Sequence, residues 1–521
     1  MNILMVYPQF PDTFWSFKHA LAFIGKKINN PPLGLMTIAS LLPENWSKKL
    51  VDTNISVLKK EDIEWADLVF ISAMDVQRSD CQDLIRRVKR HNKKIVAGGP
   101  LFTAEFTKFP EVDYFVLNEG EITLPQFLSD LENNRKPQHI YSTDQFADIQ
   151  KSPLPDISLI NIDDYECMSI QFSRGCPFQC DFCNVTALLG HKSRMKTATQ
   201  IINELEQFYQ AGWRRDVFFV DDNFIGNKKY LKEEILPALI NWRKGKKGYS
   251  FITEASINLS DDPDLMRLMS LAGFTTVFIG IETPNESSLI ECNKNQNAKR
   301  DLLKSINKIH HSGIQVMAGF IVGFDNDTPK IFDQMIKFIQ ESGIVTAMVG
   351  LLQAPNGTAL YKRLESEGRI LHETSGDNAD GSTNIVPKMD PILLKNGYIH
   401  IINSIYSPQL LYPRIKTLLR AYRTENIPSL VYFKEIFAFL KTIFRMGLNP
   451  KEGKYYWNLL FWTLFHYPSK FALAITLLIY GYHFRKVNAQ NQRKATSEIN
   501  RNNIGNIRQP AIEKKLTQVG Q

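Results

Sequence analysis

Three observations predict an α/β protein with two parallel sheets and a helical end. Short apolar runs alternate with helix-period stretches over residues 1 to about 150, and the alternation resumes with a longer period from Met168 to about Thr358. Beyond about residue 370 only helical patterns remain. The expected parts are a doubly wound, Rossmann-like domain over 1–135, a linker over 136–165, a partial (β/α)6 barrel over 166–368, a helical C-terminal domain over 369–484 and a basic tail over 485–521. A chain of 521 residues exceeds one ordinary core, and 44% hydrophobic with 22% charged residues describes a globular protein.

In the first part the candidate strands are Ile3 to Tyr7, Lys49 to Asp52, Leu68 to Ala73, Lys94 to Ala97 and Tyr114 to Leu117. Helical stretches lie between them at Leu33 to Leu42, Asp80 to His91 and Leu124 to Asn133. The N-terminal run stops at Pro8 and has no basic flank, so it reads as a buried strand and not a signal peptide. A cytosolic protein is expected, in keeping with six cysteines in no disulfide-like pattern. Glycines cluster at the strand ends: Gly34 opens the first helix, Gly98-Gly99-Pro100 follows the fourth strand, and Asn118-Glu119-Gly120-Glu121 follows the fifth. Such glycines let a bulky ligand approach the backbone, although any one of them also suits a tight βα turn. Ser152-Pro153-Leu154-Pro155-Asp156 marks the linker as a hinge.

The second part has strands at Met168 to Phe172, Asp216 to Val220, Tyr249 to Glu254, Thr276 to Ile281, Gln315 to Val322 and Thr346 to Leu352. Helices fall at Thr199 to Gly212, Lys229 to Arg243, Asp264 to Ala272, Ala298 to Ser312 and Lys330 to Ser342, which makes six βα units of a TIM-like barrel. Directly after its first strand stand Cys176, Cys180 and Cys183, at C-x3-C-x2-C spacing. Three thiolates leave one iron of a [4Fe-4S] cube open to a ligand that is not protein, whereas electron-transfer clusters and structural zinc are closed by four. Cys167 is near enough in sequence to keep a closed four-ligand site, or a disulfide, as the alternative. Carboxylates end three barrel strands: Asp221 and Asp222, Glu254, and Glu282 in Gly280-Ile281-Glu282-Thr283-Pro284. They suit a bound ammonium; the plainer readings are helix caps, or a strand-end acid paired with a lysine. Neither a nucleophile elbow nor HExxH occurs.

The loop Arg174-Gly175-Cys176-Pro177-Phe178-Gln179-Cys180-Asp181-Phe182-Cys183, at the end of a first barrel strand, resembles the signature of the radical SAM superfamily. The resemblance implies that the open iron is chelated by S-adenosyl-L-methionine, which one electron splits into methionine and a 5'-deoxyadenosyl radical. It also implies SAM contacts at Asp222, Glu254 and Glu282, and an adenine-packing segment at Gly319 to Phe324 that includes Gly323. With the glycine-marked sheet upstream, the chain resembles the cobalamin-binding (B12-binding) branch of that superfamily. Gly34, Met74, Gly98, Gly99, Glu119 and Gly120 are then the expected cobalamin contacts, with the loop at Met74 under the corrin. The Asp-x-His-x-x-Gly motif that supplies histidine to cobalt is absent, which implies cobalt without a histidine from that motif.

The architecture, with its helical C-terminal extension, resembles the hopanoid C-2 methylase branch of that family, which implies a lipid substrate. The apolar stretch Tyr455 to Phe484 is split by Lys470 into charge-free runs of 15 and 14 residues, both short of the ~20 that span a bilayer. It reads as buried helices of a small domain, or as an interfacial surface for membrane or lipid; in the second case its aromatic residues are expected at the barrel mouth. Arg485 to Gln521 carries eight Lys/Arg against two Glu, and reads as a disordered, solvated segment with no nucleic-acid partner.

The expected function is therefore a cobalamin-dependent radical SAM methyltransferase acting on an unactivated carbon of a lipid or other small molecule, served by a donor such as flavodoxin or ferredoxin and placed in the cytoplasm or at the membrane periphery. Rearrangement or cyclisation with the same cofactors, and a non-enzymatic iron-sulfur or corrinoid sensor, are the alternatives. A methylthiotransferase fits less well, since residues 1 to 150 hold only Cys81.

Overall fold

The structure, a computed structural model, describes residues 1–423 and 433–516. Six parallel strands form the first sheet: β1 (Asn2–Tyr7), β2 (Ser47–Asp52), β3 (Leu68–Ser72), β4 (Lys94–Gly98), β5 (Tyr114–Val116) and β6 (Ile140–Tyr141), in the order β2-β1-β3-β4-β5-β6. Alternation explains the two-sided burial. Leu4, Val6, Val69 and Ile71 pack towards the helix Arg78–Lys89, while Ile3, Met5, Leu68 and Phe70 pack towards the helices Leu33–Leu41 and Gly120–Glu132. The order reverses between β1 and β3, which opens a crevice beyond Tyr7 and Ser72. β6 corrects the expected five strands: Ile140 and Tyr141 pair with Phe115 and Val116, inside the segment read as linker. Two residues carry no period, so nothing in the residue pattern announces this strand.

Between β1 and β2 the chain leaves its own sheet. Phe14 stacks on Phe484 with centroids 4.0 Å apart, and the helix Lys18–Ile24 joins the core of the barrel and C-terminal helices.

The barrel begins with β7 (Met168–Ile170). A two-residue hairpin, β8 (Ser173–Arg174) with β9 (Arg194–Met195), then brackets the cysteine loop. There follow β10 (Val217–Phe219), β11 (Phe251–Glu254), β12 (Phe274–Glu282), β13 (Gln315–Val322) and β14 (Ala347–Leu351), giving the parallel order β14-β13-β12-β11-β10-β7. The barrel is open between β7 and β14, and the first domain sits against that opening. Asn30 donates to Ser169 Oγ at 3.0 Å, the N–H of Cys167 to Asn29 O at 2.8 Å, and Trp15 Nε1 reaches Met348 Sδ at 3.0 Å. A strap after the barrel closes the other side: Thr374 donates to Asp75, and Gly376 lies against Asp75 and Val76.

The C-terminal helices stack on the starts of the barrel strands. The helix beginning at Phe471 does not end at Phe484 but runs on to Leu516. Arg485 bonds to Glu452 and Asn488 to Asn403 at 3.0 Å, so the first part of the expected tail is a helix held to the body. Residues 517–521 lie outside the described residues. Among the described residues no helix is long and apolar enough to cross a membrane.

Candidate functional site

The cysteine loop is pinned at its root. Gly175 has φ +91°, and a Cβ there would fall 2.7 Å from Lys192 O, so a side chain is excluded. Phe172 N–H donates to Asp221 at 3.1 Å and the Ser173 hydroxyl at 2.5 Å, with the Ser173 N–H also on that carboxylate. Asp221 is therefore spent on holding the strand end before the loop, although burial pushes it up to about 7. Asp221 thus caps no following helix, which the plainer reading expects, and ties its strand end to that of β7 instead.

Cys176, Cys180 and Cys183 are half-buried; desolvation raises Cys176 and pushes Cys183 up to about 12. Two amides address the sulfurs: Asn223 Nδ2 at 4.0 Å from Cys176 and Gln296 Nε2 at 3.8 Å from Cys180. Among the described residues no three His, Cys, Asp or Glu side chains converge on one point as ligands to a single ion. A cubane asks for something else, since its three thiolates bind three different irons. Cys167 lies at the start of β7, buried, with its thiol donating to Met168 O, at the opposite end of the strand from the loop. Cys292 is buried with its thiol towards Leu289 O, although its carbonyl accepts from Asp181 N–H at 3.1 Å.

Beyond the loop, one cavity of about 3050 Å³ runs from the Rossmann crevice through the barrel to the C-terminal helices. Inward-facing Ser169, Phe218, Ile252, Phe278 and Met317 form its barrel wall, as strand alternation requires. Asp222 and Glu254 face it, half-buried. Desolvation pushes Asp222 up to about 6, and desolvation with the neighbouring Asp222 and Asp221 pushes Glu254 up to about 8. The three cysteines are not among the residues lining the cavity; Asp222 reaches them electrostatically, raising Cys176 and Cys183, and its neighbour Asn223 bonds to Cys176.

Glu282 is placed otherwise. It sits at a bulge in β12 with φ +65°, buried, and Lys294 Nζ lies 2.8 Å from its Oε1. Burial opposes the Lys294 charge, but Glu282 and then Cys180 hold the ammonium above its ordinary value. This is the strand-end acid paired with a lysine; Glu282 is not among the residues lining the cavity. Gly323 is also turned away, because a Cβ there would meet Leu394 at 3.1 Å.

In the crevice the expected residues divide. Gly34 lines the cavity and a Cβ there would meet nothing within 4 Å, so its bareness leaves space for a ligand. Gly99 (φ +90°) and Gly98 line it too, but a Cβ on them would strike Ser72 Oγ at 2.5 Å and Val116 O at 2.7 Å; their turn requires glycine whatever binds. Gly120 packs under Ile38. Met74, 48% exposed, projects at the crevice, and Gln77 fixes its loop by donating to Pro8 O at 2.6 Å. From Tyr7 to Leu124 the lining includes no histidine among the described residues. Glu119 is buried and both its oxygens are occupied: Arg194 reaches them at 2.5 and 2.8 Å, Arg174 at 3.1 Å, and Ala147 N–H at 2.9 Å. Arg174 also bonds Glu121, which burial would raise but Arg174 holds down at about 2. Glu119 is thus a clamp between the domains.

Sequence reasoning missed Lys294, Asn223, Gln296 and both arginines. A signal existed for two of them. The run Asn293-Lys294-Asn295-Gln296-Asn297 has neither helical nor strand period, and it wraps the loop: Asn293 donates to Asp181 at 2.7 Å and Asn297 to Gly280 O at 2.9 Å.

Comparisons with known proteins agree with this arrangement. Profiles of the B12 binding domain and the radical SAM superfamily match residues 27–128 and 170–339, and a domain of unknown function (DUF4070) matches 358–497. Among solved structures, the cobalamin-dependent S-adenosylmethionine radical enzyme OxsB superposes with TM-score 0.62 at 15% identity, over 96% of this chain and 81% of that one. The radical S-adenosylmethionine methyltransferase TsrM from Kitasatospora setae, with cobalamin and a [4Fe-4S] cluster bound, gives 0.58 at 15% identity, over 85% and 98%. These show the shared fold. Sequence carries further: an uncharacterized methyltransferase of Synechocystis is 39% identical over 93% of this chain and 91% of its own length. The hopanoid C-2 methylase of Rhodopseudomonas palustris is 35% identical over 82% and 81%. Identity of that degree over most of both chains makes the chain a member of the B12-binding radical SAM methyltransferase family, and an enzyme.

Proposed function

We propose that the chain methylates an unactivated carbon of a lipid or similarly apolar small molecule, using a [4Fe-4S] cluster, S-adenosyl-L-methionine and cobalamin, with electrons from a flavodoxin- or ferredoxin-type donor. The observation that carries this reading is one continuous cavity: it joins a glycine-walled crevice to two half-buried carboxylates, of which Asp222 acts on Cys176 and Cys183, and continues to the C-terminal helices, whose Phe439, Phe471, Leu473 and Ile475 give that end an apolar wall facing charged residues such as Arg214 and Arg243. When bound, the cluster and S-adenosylmethionine supply one-electron cleavage, and the corrinoid supplies the methyl group.

The residues present fit these groups. Cys176, Cys180 and Cys183 would hold the cluster, with Asn223 and Gln296 donating towards the sulfurs and Lys294 offsetting their negative charge. Asp222 and Glu254 would take an ammonium, since a cation relieves the burial that disfavours their ionised forms. Gly34 and the loop at Met74 would admit a flat macrocycle without a histidine beneath it. Arg174 and Arg194, clamped on Glu119, would hold crevice and barrel face to face while the walls exclude water.

The test is anaerobic reconstitution with iron, sulfide and cobalamin, then incubation with S-adenosylmethionine, a reductant and lipid extracts. A product heavier by one CH2 is expected. An isomer of unchanged mass would replace methylation by rearrangement, and no 5'-deoxyadenosine at all would leave only a sensor.

A further inference from the structure

The helices that close the apolar end of the cavity also carry an apolar surface on their outer side. Along the helix Phe433–Thr442 and the turn Ile443–Gly447 after it, Phe437, Phe444 and Leu448 are 62, 72 and 62% exposed. On the next helix, Gly453–His466, Phe461, Leu464 and Phe465 are 53, 49 and 78% exposed. Spacings of seven and four, and of three and four, set each group on one stripe of its helix. The stripes meet where Trp457 donates to Gly447 O at 3.1 Å and stacks on Phe461 at 5.8 Å. Scattered exposed hydrophobics need no explanation, but six large ones on two adjoining helices do.

Two further observations say what covers them. The first is charge. By sequence, residues 433–470 hold six Lys/Arg against Glu435 and Glu452; Arg445, Lys451 and Lys454 are exposed around the patch, whereas Glu452 is buried and engaged by Arg485 and Tyr412. The second is continuity. Phe439 and Phe471, on the inner side of the same helical layer, line the cavity, so its apolar end and the outer patch share their walls.

We propose that this face seats on an anionic lipid surface, its phenylalanines in the acyl boundary and its cations at the headgroups, lying in the interface and not across it. It is also the side from which an apolar substrate reaches the cavity; that clause rests on the lipid reading above. A second copy of the chain would bring two positive rims together, which like charge opposes.

Flotation of the reconstituted full chain with phosphatidylcholine vesicles, with and without phosphatidylglycerol, tests the proposal. The unsubstituted chain should float with the anionic vesicles, less so at high salt. Phe444→Asp with Phe465→Asp should lower the bound fraction by more than about tenfold, and Lys451→Glu with Lys454→Glu by about tenfold. All four side chains are exposed and outside the cavity wall, so 5'-deoxyadenosine formation should be unchanged in both variants, which shows them folded. Failure of the unsubstituted chain to float, or equal flotation of the variants, would overturn the docking face. So would a dimer in free solution that Phe444→Asp with Phe465→Asp dissolves while vesicle binding is nil, since the face would then belong to a second copy. Loss of 5'-deoxyadenosine by the unsubstituted chain strikes the functional reading instead, and leaves the flotation result standing.

Discussion

The two six-stranded sheets both present a site at the carboxyl ends of parallel strands, yet they build it from opposite materials. In the first sheet the wall combines glycine backbone and apolar side chains with polar ones such as Asn30, Asn54 and Asn118, and its strand-end acids, Glu119 and Glu121, are consumed by Arg174 and Arg194. In the barrel, Asp222 and Glu254 face the cavity with no lysine or arginine bonded to them among the described residues, and burial lifts both. A crevice whose acids are already paired receives a large group by shape, whereas half-buried carboxylates without a bonded cation suit a cationic ligand. The difference predicts that the first site breaks by adding atoms and the second by removing charge.

The largest effect belongs to the thiols. Replacement of Cys176, Cys180 or Cys183 by Ala should abolish the cluster's visible absorption and all 5'-deoxyadenosine formation. Cys167→Ala, at the far end of β7, should keep both; a cluster lost there would restore a closed four-ligand site. Next is Lys294→Met, which strands Glu282 without its partner in a buried place. Breaking such a pair costs about 3–5 kcal/mol, to be seen as a fall in the denaturant midpoint. A change below about 1 kcal/mol would show Glu282 open to solvent.

The barrel carboxylates also predict a pH profile. Asp222 and Glu254 bind protons more firmly in the folded chain, with values near 6 and 8, than in the unfolded one. Their contribution to stability is fully present below the unfolded carboxylate values of about 4 and is lost as pH rises from there, completely once it has passed about 6 for Asp222 and about 8 for Glu254. Affinity for S-adenosylmethionine should move the opposite way, rising by up to about tenfold per pH unit between pH 5.5 and 7 because only the ionised forms hold an ammonium, and levelling off at about pH 8, where the ligand's own α-amino group loses its proton. Calorimetric titration at pH 5.5, 7 and 8.5 reads this directly. Glu254→Gln should flatten the upper half of the rise, and an unflattened profile would remove Glu254 from the site.

These residues also show how far the sequence reached. Both sheets were legible because five or six apolar residues in a row, broken by turn signals, leave few other folds; Gln315–Val322 coincides with its expected strand. β6 and the β8–β9 hairpin were not, since two-residue strands owe their pairing to neighbours and not to a pattern of their own. At the site, spacing disclosed the cysteines but only contact could sort the acids. Asp221 and Asp222 are adjacent in sequence; one turns to the backbone of Phe172 and Ser173 and the other to the cavity. Glu282 and Glu254 both end barrel strands, but a lysine twelve residues on claims the first. Buried helices of a small domain are one reading of Tyr455 to Phe484, and only the lipid reading puts its aromatic residues at the barrel mouth; they lie at the other end, with Tyr480 against Phe17 and near Asp216 at the strand starts.

The smallest effect distinguishes the glycines of the crevice. Gly34 is the second residue of the helix Leu33–Leu41, in helical conformation, with nothing within 4 Å of the place a methyl group would take. Alanine there should stabilise the ligand-free protein by about 0.5–1 kcal/mol, because it restricts the unfolded chain and costs the folded one nothing. At Gly99 the same change meets φ +90° and the Ser72 hydroxyl, so it should destabilise by more than that. Cobalamin affinity should separate the two in the opposite sense to stability. Gly34→Ala puts a methyl group into the crevice and Gly34→Leu a whole side chain, so binding should weaken progressively while the cluster and the melting temperature hold. If Gly34→Leu bound cobalamin as tightly as the unsubstituted chain, the corrin would lie elsewhere, and the open space at Gly34 would be solvent at a helix start.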